Sequence, residues 1–346
     1  MDPPVRGWER YEIVEFLGEG GMGRVFKARD PKLDRLVALK FILGDSPEQS
    51  RRLLHEATLN ARVKHPNVCE VYEVGEVEGK PYIAMEFLDG STLDEAAAGM
   101  SLEDKLTVLI AVAHALDSAH RAGLIHRDVK PANIMVSRTA DGWLPKVMDF
   151  GLSREMAAPG LTQTGMMGGT PASVAPEQAR GVSAELDCRA DVYSLGATLY
   201  QLVVGRVPFD GPSSMDVLMK VLHKEPVPPR REAPALPVDL ETIILKCLDK
   251  TPERRYQSAR TLADDLQRLL DGEPILARPA SWTYRLSKRV QKQRALWALA
   301  ALLVLVTVGS AGYLIHSHRQ QRLRERIELK MRQGLRMVPP GENGAK

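Results

Sequence analysis

Asp128, Asn133 and Asp149 are the residues of this 346-residue chain whose types and spacing could do the most chemistry. The first two lie in the run His126-Arg127-Asp128-Val129-Lys130-Pro131-Ala132-Asn133, and the third opens Asp149-Phe150-Gly151, sixteen residues after Asn133. Transfer of a phosphoryl group to a hydroxyl asks a protein for little covalent chemistry: a carboxylate to orient the hydroxyl and accept its proton, and ligands for magnesium. Asp128 and Asn133 stand at a spacing that suits those two tasks. Taken singly, a His-Arg-Asp triplet is most often a salt-bridged turn and an Asp-Phe-Gly triplet a tight turn. Both in this order, with a glycine-rich segment and a lysine upstream, are not explained by turns alone.

The elements that must position these residues are legible from periodicity. Residues 11–43 alternate like strands and turns, and Leu17-Gly18-Glu19-Gly20-Gly21-Met22-Gly23-Arg24-Val25 interrupts them with glycines at 18, 20 and 23. Missing side chains there let backbone N–H groups approach phosphates closely. A dinucleotide fold uses the same glycine spacing but continues into a helix; here Val25 leads into Phe26-Lys27-Ala28, a strand pattern. Val37-Ala38-Leu39-Lys40 reads as a strand whose lysine, in isolation, would reach for water. Residues 51–63 carry Leu53, Leu54, Ala57 and Ala61 at helical spacing, and His65-Pro66 ends that helix. Two further strands are expected around Val71–Val74 and Tyr82–Ala84, about a turn between Gly75 and Gly79; the second runs into Met85-Glu86-Phe87-Leu88-Asp89-Gly90. A long amphipathic helix is expected over 102–122, capped by Ser101 with Asp104 three residues on. Ile134-Met135-Val136 and Lys146-Val147-Met148 flank Asp141-Gly142, which predicts a hairpin with Asn133 and Asp149 at its two ends.

In this order the motifs resemble a protein kinase over about residues 11–272, and Lys130, two residues after Asp128, matches the Ser/Thr class. Thr162-Gln163-Thr164 and Pro176-Glu177-Gln178-Ala179-Arg180-Gly181 are similar to the bacterial Hanks-type, receptor-like branch. The resemblance implies an α+β, two-lobed fold, with a β-rich N-lobe at 11–85, a hinge at 86–90 and a helical C-lobe at 91–272, after a tail at 1–10. It implies ATP and Mg2+ (or Mn2+) as cofactors, protein substrates, and a division of labour. Asp128 would be the base, with Lys130 beside it; Lys40, held by Glu56 rather than by Glu48, would position the α and β phosphates. Asn133 and Asp149 would hold the metal. The nucleotide would lie on the loop from Leu17 to Val25, against Ala38, with Glu86 and Leu88 on the adenine and Met85 behind it. Asp191 would anchor the catalytic-loop backbone and Arg255 would pair with Glu177. Thr162 and Thr164, with Thr170 as a weaker third, would be the phosphorylation sites of an activation segment, their phosphate docking on Arg127. One departure stands out: Ser173-Val174 precedes Ala175-Pro176-Glu177 where the family has an aromatic residue and often Met. That departure keeps a membrane-anchored pseudokinase scaffold as the competing reading.

Charge divides the chain. Residues 274–294 carry six Lys or Arg and no acid, and residues 316–346 carry eight basic and three acidic residues. The formal charge of +3 therefore leaves −8 for residues 1–273, which argues against nucleic acid as a partner and for an anionic membrane near the C-terminus. Between the basic flanks, residues 295–315 are uncharged; as a helix they would span roughly 30 Å, the hydrocarbon thickness. Trp297 and Tyr313 near the ends suit the aromatic belts. The expected layout is thus a basic linker at 273–294, one transmembrane helix at 295–315 and a short basic tail at 316–346, anchored in the inner membrane. Lys and Arg are balanced about the span, so ATP, not charge, puts the large domain in the cytoplasm. No secretory leader is expected from Met1-Asp2-Pro3-Pro4. Cys69, Cys188 and Cys247 have no metal-ligand spacing and fit core thiols in a reducing compartment. Tethering would let neighbouring copies meet as a homodimer and phosphorylate each other in trans.

Overall fold

Strict alternation along Val37-Ala38-Leu39-Lys40-Phe41-Ile42 sends successive side chains to opposite faces of a strand, and both faces are buried. Val37, Leu39 and Phe41 join Tyr11, Phe26 and Tyr82 in one apolar cluster, with Trp8 edge-on to Tyr82 at a centroid separation of 4.7 Å. Ala38 and Ile42 join Ala57, Cys69, Ile83 and Met85 in the other. Lys40 shares this second face. The computed structural model describes residues 5, 8–20, 23–42, 54, 55, 57–150, 171–181 and 186–278, and then 307, 309–311, 313, 316, 318–322 and 324–327. The chain divides into two units, Met1–Ala280 and Ser281–Lys346.

The central strand is β3 (Arg35–Ile42) of an antiparallel five-stranded sheet formed with β1 (Glu12–Gly20), β2 (Gly23–Asp30), β4 (Val71–Val77) and β5 (Lys80–Glu86), in the order β1-β2-β3-β5-β4. The turn between β4 and β5 is Glu78-Gly79, with φ 49° and 73°, the two left-handed residues that a tight two-residue hairpin requires. Gly75, expected in that turn, instead lies within β4 opposite Tyr82, where a Cβ would come within 2.8 Å of the tyrosine hydroxyl. Residues ahead of position 11 also take part. Val5 is buried, and Arg10 donates to Asp30 at 2.7 Å and Glu73 at 2.9 Å, while Tyr11 and Tyr82 donate to the same Glu73.

The helical lobe is built on α1 (Leu102–Arg121). Ser101 accepts from the Asp104 N–H and Asp104 accepts from Ser101, the expected capping box, worth about 1 kcal/mol. Of α2 (Arg189–Val204), α3 (Ser214–His223), α4 (Val238–Cys247) and α5 (Ala259–Leu270), α2 and α5 pack on it, α4 packs on those two, and α3 lies against Pro171–Ser173 and Pro176–Ala179. Gly196 allows α2 and α4 to touch: a Cβ there would lie 2.3 Å from Cys247 Cβ. A small sheet of β6 (Ser91–Thr92), β7 (Ile134–Thr139) and β8 (Gly142–Val147) faces the β-lobe. Thr139 pairs with Gly142, so the loop of this hairpin is Ala140-Asp141, one residue earlier than the Asp-Gly pair suggests. Residues 273–278, expected as linker, continue onto the lobe: Ile275 is buried, and Leu276 and Ala277 donate backbone N–H groups to the buried Asp265 at 2.7 and 2.8 Å. Of the expected membrane span, residues 307, 309–311 and 313 are described and helical, and the rest lies outside the described residues. Among the described residues no helix is long and apolar enough to cross a membrane.

Candidate active site

The loop 126–133 is held from beneath by one buried carboxylate. Asp191, on the first turn of α2, accepts the backbone N–H of His126 at 2.8 Å and of Arg127 at 2.7 Å, and His120 of α1 reaches the same carboxylate at 2.7 Å. Burial pushes the Asp191 carboxyl up, but the His120 hydrogen bond and the two histidine rings outweigh it and leave it below its ordinary value. Arg127 sits at φ 69°, a left-handed conformation that costs a residue with a side chain of order 1–3 kcal/mol. The Gln178 amide caps the loop by donating to the Arg127 carbonyl at 2.9 Å.

That backbone presents Asp128 to two cationic or amide donors. Lys130 Nζ lies 2.8 Å from Asp128 Oδ2, and Asn133 Nδ2 donates both to that oxygen at 3.0 Å and to the Asp128 carbonyl at 2.8 Å. Among the described residues Asp128 Oδ1 has no partner, which leaves it for a hydroxyl. Both amide hydrogens of Asn133 are committed to Asp128, so its Oδ1 remains as an oxygen donor. The hairpin carries Asp149 back to the same region: Met148 N–H donates to the Asn133 carbonyl at 2.9 Å, and His126 Nε2 lies 2.7 Å from the Met148 carbonyl.

Asp149, at φ 57°, turns its Oδ1 to Lys40 Nζ at 2.8 Å, joining the two lobes. Burial pushes this carboxyl up, yet Lys40, His126 and Lys130 bring it below its ordinary value, so it is ionised at neutral pH. The site thus offers Asn133 Oδ1 and Asp149 Oδ2, hard oxygen donors that fit a magnesium-type ion. Above them, a Cβ at Gly18 or Gly20 would meet nothing within 4 Å, which leaves their backbone open to a phosphate, whereas Gly23 (φ 152°) is required because a Cβ would strike the Phe41 carbonyl at 2.1 Å. Leu17 is exposed on β1, Glu19 and Arg24 form an ion pair at 3.1 Å across the β1–β2 hairpin, and Val25 packs beside Ala38 and Met85. The Glu86 N–H is taken by the Glu70 carbonyl at 2.8 Å, so of the Glu86 backbone it is the carbonyl, which accepts from the Cys69 thiol through one lone pair, that has a second lone pair for a base, with Leu88 beyond it. The Glu86 side chain is turned away, onto Lys146 at 2.7 Å. Cys69 lies behind, its Sγ 3.7 Å from the Glu86 carbonyl and its thiol pushed up to about 12 by burial.

Glu177 and Arg255 come together as a bidentate pair at 2.7 and 2.8 Å; Arg255 also donates to the carbonyls of Asp249 and Arg189. Ser173 lines a cavity of about 70 Å³ beside Lys130, with Ala132, Ala197, Gln201 and Pro208, and its carbonyl accepts from Ser194 at 2.7 Å. Glu56, Gly21, Met22, Thr162, Thr164 and Thr170 lie outside the described residues. His120, Gln178 and Ser194 were not legible beforehand: their partners are backbone groups or carboxylates far along the chain, and no local spacing announces them.

The protein kinase domain model of the Pkinase family matches residues 11–266. The chain belongs to the protein kinase family. Among its relatives are the serine/threonine-protein kinase PknB of Mycobacterium tuberculosis, 42% identical over 286 residues, and the probable serine/threonine-protein kinase SCO3848 of Streptomyces coelicolor, 40% identical over 292. These place the kinase in the bacterial Hanks-type serine/threonine branch. The alignments cover 79% and 81% of this chain but 45% and 43% of those proteins, so the chain spans less than half the length of these curated relatives. A crystal structure of the Mycobacterium tuberculosis PknI kinase domain superposes with a TM-score of 0.61 at 30% identity, covering 75% of this chain and 96% of that one. The two-lobed protein kinase fold is therefore shared.

Proposed function

We propose that this kinase transfers the γ-phosphate of ATP to serine and threonine hydroxyls of proteins. The observation that carries the reading is the Asp128 carboxylate, clamped through one oxygen by Lys130 and Asn133 and free at the other among the described residues, beside an Asp149 held on Lys40. In this reading Asp128 orients the acceptor hydroxyl through Oδ1 and takes its proton, while Lys130 offsets charge on the transferring group. Lys40, with Glu56 behind it, positions the α and β phosphates under the backbone of Gly18 and Gly20. The Glu86 carbonyl and the backbone of Leu88 hold the adenine, with Leu17, Val25 and Ala38 as its apolar walls. Asn133 and Asp149 hold magnesium or manganese, which when bound neutralises phosphate charge.

The same reading extends to the flanks. Residues 295–315 anchor the chain in the inner membrane as a single helix, supported by 21 uncharged residues between basic segments, and the kinase domain lies on the cytoplasmic side. Copies concentrated in the membrane phosphorylate one another at Thr162 or Thr164, with Thr170 a weaker acceptor, and the new phosphate docks on Arg127. The test is transfer from γ-labelled ATP to a generic protein acceptor and to the chain itself, wild type beside Asp128→Ala, followed by phosphoamino-acid analysis. Label on serine and threonine in the wild type alone supports the reading; equal labelling of both proteins overturns it.

A further inference from the structure

Asn60 is a polar side chain in an apolar wall. It lies at the end of the helical segment 57–60, is 91% buried, and lines a small cavity with Val71, Ile83, Met85, Asp149 and Phe150. Its Nδ2 donates to the carbonyl of Phe150, and its buried Oδ1 has no hydrogen-bond partner among the described residues. A buried amide is costly unless its hydrogen bonds are made, so a leucine or methionine would be the cheaper filling for this wall. Among the described residues, the one atom that the carboxamide serves is the carbonyl of the residue after Asp149.

Three consecutive residues are thus each held by a different element. His126 holds the Met148 carbonyl at 2.7 Å and lies against the Phe150 ring, tilted by 50° at a centroid distance of 4.6 Å. Lys40 holds the Asp149 carboxylate at 2.8 Å. Asn60 holds the Phe150 carbonyl. Between the first and third lies Asp149 at φ 57°, a conformation that persists only where its surroundings over-determine it.

We infer that Asn60 is a positioning residue for Asp149: its amide fixes the Phe150 peptide, which keeps Asp149 in its left-handed conformation with the carboxylate turned to Lys40 and the metal site. The inference rests on the proposed phosphotransfer but is read out separately from it. Asn60→Leu keeps the bulk, removes the donor and removes the unsatisfied oxygen. Thermal melting of the full chain, amide exchange of the fragment containing residues 148–150, and steady-state kinetics against ATP and Mg2+ are compared with wild type. The expected result is a melting temperature near that of wild type, because relief of the buried amide oxygen offsets the donor lost to the Phe150 carbonyl, exchange of that fragment several-fold faster, kcat down about tenfold, ATP KM within about twofold, and a several-fold higher Mg2+ requirement. Should Asn60→Leu fail to fold, Asn60→Ala is expected to show the same exchange and kinetic changes. Wild-type exchange, or a loss of stability with kcat unchanged per folded molecule, overturns the inference. If the wild type transfers no phosphate, the exchange comparison still decides the role of Asn60, and the failure belongs to the proposed function.

Discussion

The carboxylate of Asp191 meets the backbone N–H of Arg127 at 2.7 Å across 64 residues of chain, and Arg127 takes φ 69° under that bond and the companion bond to His126. The left-handed kink is what turns the following residue, Asp128, toward Lys130 and Asn133. A buried anion on a helix therefore sets the geometry of the proposed base without touching it.

Asp191→Asn replaces one accepting oxygen by a donor and leaves a backbone N–H, and the His120 ring, without its partner. A loss of about 3 kcal/mol of unfolding free energy is expected, together with reduced turnover, as when one member of a buried charged pair is removed. Because the folded carboxyl lies below its ordinary value, its contribution is present above the unfolded value and is lost as pH falls through the folded one. Urea midpoints should show the difference between wild type and variant undiminished from pH 7 to pH 5 and shrinking only below about pH 4.

Lys250 gives the opposite sign. Burial pushes its ammonium down to about 8, Glu225 opposes this in part, and the Nζ lies 4.1 Å from the centre of the Phe209 ring. The folded chain then binds fewer protons than the unfolded chain between about pH 8 and pH 10, so wild-type stability rises with pH across that window. Lys250→Met is expected to raise the melting temperature at pH 7 and to abolish the rise between pH 8 and pH 10. A steeper rise in the variant would contradict the assignment.

The alternation that builds β3, the Ser101 cap and the order of the catalytic motifs were legible because each is a local pattern of period, cap or spacing. Lys40 and Asp149 stand 109 residues apart, and their ion pair was not legible: the motifs assign Lys40 to Glu56 and the phosphates and Asp149 to the metal. What stayed hidden depends on partners distant in sequence. Asn60 reads as one more helix residue until its donor is seen on the Phe150 carbonyl. Asp265 reads as a solvated acid until Tyr256, Leu276 and Ala277 are found donating to it. The turn at Glu78-Gly79 was displaced in the reading by Gly75, a glycine required by the Tyr82 ring and not by a turn.

Asp265 and Ile275 set where the large unit ends. A chain stopping at Gly272 loses the burial of Ile275, worth about 1.5–3 kcal/mol, and leaves a buried carboxylate short of two donors. A chain stopping at Arg278 keeps both. The longer chain is expected to melt several degrees higher; equal melting temperatures would mean that the segment 273–278 is dispensable.

If residues 295–315 cross a bilayer, the full chain should stay with membranes through high salt and carbonate, whereas the chain stopping at Arg278 should not sediment with them. Release of the full chain by salt alone would mean that its basic flanks only lie on the lipid surface.

The site account stands on Asp128, and one comparison tests it most directly: turnover and ATP affinity of Asp128→Asn beside wild type, with Mg2+ present and a serine- or threonine-containing acceptor. Asp128 and Lys40 engage different parts of the reaction, so the account predicts a fall in turnover of about 10²–10⁴-fold, the range for loss of a general base, with ATP affinity within about twofold. Turnover that survives the substitution, or ATP binding that disappears with it, would contradict the account.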